Sequence, residues 1–138
     1  MSQRKSSRTS VCGEREARVR LADARAQLQL AELAGGASPP AEIKAAVSSA
    51  VLAGIAASDA ACCRALGRAN RSENHRDAVE LLGQVAPGGA DAAKQLERLL
   101  SLKDEAQYGL TELTGRRLKQ AIRRAKALVA HAEQVMRR

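Results

Sequence analysis

The stretch "AVLAGIAASDAACCRALG", residues 50–67, decides the fold. Ile55, Cys62 and Leu66 extend a stripe that begins at Ile43, Val47 and Val51, with Ser58 or Asp59 filling the step between Ile55 and Cys62. Steps of three and four place these side chains on one helix face. Almost everything between them is Ala, Gly or Ser, so neighbouring helices can approach closely, above all at Gly54. The spacing predicts a helix over about residues 40–66 that acts as the spine of the domain, with Gly67 ending it.

The rest of the chain has the same character. Of 138 residues, 29 are Ala, none is Phe or Trp, and the single aromatic is Tyr108. Ala is the strongest helix former, and Val and Ile are few and scattered, so the composition reads as all-α without strands. The length suits one domain. Residues 1–12, rich in Ser and Arg and without periodicity, read as a disordered basic N-terminus. An N-terminal helix is expected within 13–36, from Glu14 to Leu33, with Val19, Ala22, Ala26, Leu30 and Leu33 on one face and Gly35-Gly36 ending it. Ser38 and the two prolines restart the chain into the spine helix. A short helix follows over His75–Val85, stopped by "PGG". The next has Asp91 as its cap and turns Leu96, Leu99, Leu100, Lys103 and Ala106 inward. The last begins at Thr111 or Thr114 and carries Leu118, Ile122, Ala125, Val129, Ala132 and Met136. Short connections favour antiparallel neighbours. The expectation is an up-and-down four-helix bundle over residues 38–138 with an additional N-terminal helix.

Charge is unevenly spread. The net charge is +8, of which residues 1–20 carry +4 and residues 115–138 carry +7, leaving −3 for the middle. Basic ends on a mildly acidic body point to contact with a polyanion, most plausibly nucleic acid. Cys12, Cys62 and Cys63 are odd in number and two are adjacent, so no disulfide framework is expected. No C-x-x-C pairs with a nearby His to make a zinc site. Cys62 and Cys63 are expected to pack as small hydrophobes in a reducing compartment. No hydrophobic segment of the kind a secretion signal needs opens the chain, and no run of 18 apolar residues occurs. A soluble, cytoplasmic protein without a membrane partner, metal or cofactor is the expectation.

Few residues could carry chemistry. Asp59 lies on or beside the buried stripe, where a carboxylate is costly unless it faces water or is paired. It can therefore be solvated at the flank, pair with a basic residue, or line a polar pocket. His75 opens its helix and titrates near neutral pH, as a catalytic base must, but capping or anchoring a loop is the commoner use. Arg68 and Arg71 sit in the polar loop before it. Lys103 shares the face of Leu99 and Leu100, from which it can snorkel. Tyr108 follows about a turn later, where its ring can plug the end of a bundle. His131, between Val129 and Ala132, reads as a partly buried structural residue. No Gly-rich phosphate loop, nucleophile elbow or metal-ligand cluster is present in the sequence.

Four stretches together carry a family resemblance: residues 50–67, "SENHRDAVELL" (72–82), "LLSLKDEAQYG" (99–109) and "LKQAIRRAKALVAHAEQV" (118–135). In helix lengths and in the placing of His75 and the Lys-to-Tyr stretch, residues 40–138 resemble HEPN domains. The resemblance implies a small helical bundle that dimerises. Many such domains are metal-independent RNases or toxins of defence systems, in which an Arg-x(4–6)-His motif from each subunit meets at one cleft. There His would act on a 2′-hydroxyl or leaving oxygen and Arg would stabilise the charged phosphorane. Other members lack the motif and serve as nucleotide-binding or partner modules beside nucleotidyltransferases.

This chain has Lys103-x(4)-Tyr108 where that motif would lie. Lys meets phosphate as a point charge without a guanidinium's fork, and an ordinary phenol is a poor base at neutral pH. A second spacing, Arg68-x(6)-His75, falls in a loop. The resemblance therefore implies a binding or partner module of a defence or toxin–antitoxin system. Nucleic acid would bind at Arg68, Arg71, Arg116, Arg117, Arg123 and Arg124, and the chain would form a homodimer or dock on a nucleotidyltransferase-type partner. The alternatives are an RNase whose centre is Asp59, His75, Lys103 and Tyr108, or a structural subunit of a larger assembly. The near absence of aromatics argues against recognition of single strands by base stacking.

Overall fold

The computed structural model describes residues 8–108 and 113–138, apart from the side chains of residues 105–108. The described chain is mostly helical. The element order is β1 (Thr9–Val11), α1 (Glu14–Glu32), α2 (Pro40–Leu66), β2 (Arg68–Asn70), α3 (His75–Gly83), α4 (Gly89–Tyr108) and α5 (Gly115–Met136).

Helix α2 is the centre. Ile43, Val47 and Val51 are buried, and so are Ala46, Ala50, Ala53, Ala57, Ala60 and Ala61 on other sides. It packs against α1, α4 and α5 at once. It is long and apolar enough to cross a membrane, yet 72% of its most apolar window is buried inside the fold, as in a core helix. Gly54 explains how three partners fit. A Cβ at that position would lie 2.4 Å from Leu99 Cδ2 and 3.0 Å from Leu128 Cδ1, so α4 and α5 both rest on the missing side chain. Pro40 at the first position and the left-handed Gly67 (φ 74°) fix the two ends of α2.

Helix α1 packs on α2, but not by the face the apolar spacing predicts. Ala17, Leu21, Ala24 and Ala31 are buried, whereas Val19, Leu30 and Leu33 are exposed. Alanines at the contact let the two axes come close, and against a helix as Ala-rich as α2 that counts for more than the size of the apolar group. Helix α3 packs on α4, and α4 on α5. Asp91 lies in the first turn of α4, which begins at Gly89, and is not its cap. At the other end of the connection, Thr114 caps α5 by accepting the Arg117 N–H at 3.3 Å.

Between α3 and α4 the chain turns through a cis Ala86–Pro87 bond and a left-handed Gly88 (φ 89°). His131 fills this corner, with Nε2 3.3 Å from the Pro87 carbonyl. A carbonyl only accepts, so the ring nitrogen carries the hydrogen. Burial first, and then the nearby Arg138 guanidinium, lower the imidazole's pKa, against the hydrogen bond to Pro87. Arg138 donates to the carbonyls of Ala86 (2.9 Å) and Pro87 (3.0 Å).

Three expectations require correction. Strands do occur: β1 pairs antiparallel with β2, in the register Thr9–Asn70, Ser10–Ala69 and Val11–Arg68. Residues 9–11 are therefore ordered as a strand and not part of a disordered tail, while residues 1–7 lie outside the described residues. The third concerns Cys63, which is disulfide-bonded to Cys12 across 51 positions, with Cα atoms 5.2 Å apart. Only Cys62, buried, is free. Burial, and secondarily the Asp59 charge, push its thiol up to about 12, so it stays protonated. The cysteine argument for a reducing compartment no longer holds, since stable disulfides belong mainly to oxidising ones.

Candidate functional site

Helix α2 has one polar step, the buried Ser58 and the half-buried Asp59, between the half-buried Ile55 and the buried Cys62. The loop after β2 and the start of α3 close over that step from one side, and α4 from the other. The result is a half-open cavity of about 470 Å³. Its floor is apolar, with Ile55, Leu96 and Leu100. Its polar groups come from Ser58, Asp59, Asn70, Ser72, Glu73, His75 and Lys103. Three of the four candidate catalytic residues, Asp59, His75 and Lys103, thus line one cavity although 44 positions separate the first from the last. The side chain of Tyr108, the fourth, lies outside the described residues.

Asp59 is paired. Arg20 of α1 donates to Asp59 Oδ2 from both Nη2 (2.9 Å) and Nε (3.2 Å). The same guanidinium donates to Asp23 at 3.0 Å. The Asp59 pKa is nonetheless raised: burial is the largest effect, and the Arg20 hydrogen bond and charge only hold it back. Of the three readings open in the sequence, two hold together here. The carboxylate is in an ion pair and also faces a pocket. Arg20 carried no signal in the sequence, because its helix was aligned on the wrong face.

The loop beyond β2 is held by its own side chains. Asn70 Nδ2 donates to the Ser72 carbonyl at 3.0 Å, and Ser72 Oγ donates to Asp77 at 2.8 Å. Asn74 caps α3 by accepting the Arg76 N–H at 2.9 Å, which places His75 in the first helical turn at the cavity mouth. Neither the His75 nor the Lys103 side chain has a hydrogen bond or ion pair with another described residue. Among the described residues, no cluster of His, Cys, Asp and Glu could hold a metal ion.

The six arginines expected to meet nucleic acid divide into two places. Arg68 and Arg71 lie on the β2 side, outside the cavity. Arg68 donates to Gln84 at 3.2 Å, and the Arg71 N–H donates to the Arg8 carbonyl at 2.7 Å. Arg116, Arg117, Arg123 and Arg124 lie on α5, whose stretch 115–132 contains no acidic residue. Arg124 reaches across to α4 and donates to neutral Gln95 at 3.0 Å. Its pKa is lowered, first by burial, then by the charges of Arg98 on α4 and Arg123. Arg98 was not among the expected residues. Only the packing of α4 on α5 brings it to this face.

No protein-family model matches the chain, and no curated protein is similar to it.

The Asp59–Arg20 pair gives an asymmetric prediction. Removing Arg20 leaves a half-buried carboxylate without its cation, whereas removing the Asp59 charge leaves Arg20 with Asp23 and water. Arg20→Gln should therefore destabilise by about 1–2 kcal/mol at pH 7, and Asp59→Asn by less. The folded carboxyl binds its proton more tightly than the unfolded one. The Arg20→Gln penalty should then shrink as pH falls and the Asp59 carboxylate takes up its proton. Urea denaturation of both variants at pH 7 and pH 4 measures it. Equal losses at both pH values would exclude the pair as described.

Proposed function

We propose that the chain is a non-catalytic helical module that binds a polyanion, most simply nucleic acid, on the outer face of α5. The observation that carries this reading is the group Arg98, Arg123 and Arg124. Arg124 lies near enough to Arg98 and Arg123 for their charges to add to burial in lowering its pKa, and its polar partner is a neutral amide. Among the described residues no carboxylate forms an ion pair with any of the three. Stability alone would select against such crowding, and phosphates would relieve it. The first turn of α5 adds to the same field. It holds Arg116 and Arg117 and no acidic residue, at the positive end of a helix dipole. We read α2–α5 as an up-and-down bundle of HEPN type with α1 as an additional helix packed on α2, consistent with a binding or partner role.

Affinity for duplex nucleic acid should fall steeply with salt. Replacing Arg116, Arg117, Arg123 and Arg124 together by Gln should lower the slope of log affinity against log salt by up to about 3–4. Titrations from low to physiological salt, by fluorescence anisotropy, measure both. Undiminished binding by the fourfold variant would overturn the reading.

A second reading, a metal-independent RNase, is favoured by the meeting of Asp59, His75 and Lys103 at one cavity. The engagement of Asp59 by Arg20 stands against it, since that carboxylate is not available as a base. RNA incubated with the protein in a metal chelator should remain intact. Cleavage that His75→Ala and Lys103→Ala each abolish would replace the first reading with the second.

A further inference from the structure

We propose that the Cys12–Cys63 disulfide is a redox latch. A dithiol reductant opens it, frees the β1–β2 ribbon and loosens the wall of the Asp59–His75 cavity, while the helical core stays folded. The inference rests on the ribbon and the cavity and is independent of what binds α5.

The ribbon has little else to hold it. It has two strands of three residues each, and a lone two-stranded ribbon is marginal in water. Val11 is 92% exposed, so β1 contributes almost no apolar burial. Among the described residues its other anchors are the main-chain bonds from Cys12 N–H to the Gly67 carbonyl (3.0 Å) and from Arg71 N–H to the Arg8 carbonyl (2.7 Å), and the exposed Arg68–Gln84 hydrogen bond at 3.2 Å. The Arg8–Asp77 contact is long, at 4.0 Å.

Release would reach the cavity. The last residue of β2, Asn70, lines it directly. Through Asn70 and Ser72 the strand connects to Asp77 and to the Asn74 cap that places His75. The core does not share this dependence. Val47, Val51, Leu96, Leu99, Leu118 and Leu128 pack among α2, α4 and α5 without β1.

The chemistry is ordinary exchange. Cys12 is half-buried, whereas Cys63 is buried. A thiolate of the reductant attacks Cys12 Sγ, and Cys63 leaves and takes up a proton. The reductant's second thiol then displaces Cys12, so the protein gains two thiols as the dithiol becomes a disulfide. Cys62 is next to Cys63, but its protonated thiol does not compete for the bond.

Hydrogen exchange of the full chain, before and after dithiothreitol, tests the latch, with labelling of Cys12 and Cys63 confirming reduction. Reduction should speed exchange in residues 9–12 and 68–75 by about tenfold or more and leave the amides of central α2 and α5 protected. Cys12→Ser should exchange like the reduced protein without reductant, and Cys62→Ser should respond as the wild type does. Unchanged exchange in both segments after complete reduction would overturn the proposal. So would simultaneous loss of protection in ribbon and core, or an air-oxidised protein in which Cys12 and Cys63 are both free.

Discussion

The absence of a side chain at Gly54 is the constraint on which the architecture depends. Leu99 of α4 and Leu128 of α5 both occupy the space a Cβ would fill. With no Phe or Trp to span gaps, the core must gain its density from close helix axes. The alanines of α2 do the same for α1. Once α4 and α5 are seated on α2, two surface features follow. One is the cavity over Ser58 and Asp59. The other is the alignment of Arg98 beside Arg123 and Arg124.

The two features differ in electrostatics. In the cavity, the half-buried Asp59 carboxylate is answered by Arg20 and the loop polar groups answer one another, which leaves Lys103 as a single cation there among the described residues. Arg98, Arg123 and Arg124 form no ion pair with a carboxylate among the described residues. Three such guanidiniums together are the basis on which we propose the α5 face as the polyanion site.

The helical class and most of α2 were legible because the Ala-rich composition and the 3.6-residue spacing agree. The cavity residues Asp59, His75 and Lys103 were legible too, as polar groups on or beside apolar stripes. The face of α1 was not. Its larger side chains, Val19, Leu30 and Leu33, outweigh Ala17 and Ala24 in any hydropathy reading, yet close packing selected the alanines. Both short strands escaped because Thr9–Val11 and Arg68–Asn70 have no alternation long enough to register. What creates them is the covalent tie at Cys12 and the turn at Gly67, and a bond across 51 positions leaves no mark in local spacing. Arg20 and Arg98 join their sites only through tertiary packing.

The central claim, that α4 and α5 rest on the bare backbone of α2, is tested most directly by urea denaturation of Gly54→Val beside Leu52→Ala, a control at a half-exposed position of the same helix. Val recovers only a few tenths of a kcal/mol of helix propensity over Gly, against an overpacking cost of about 1–3 kcal/mol. Gly54→Val should therefore lose about 1–3 kcal/mol or fail to fold, and Leu52→Ala should lose less. A Gly54→Val protein as stable as the wild type would contradict the account.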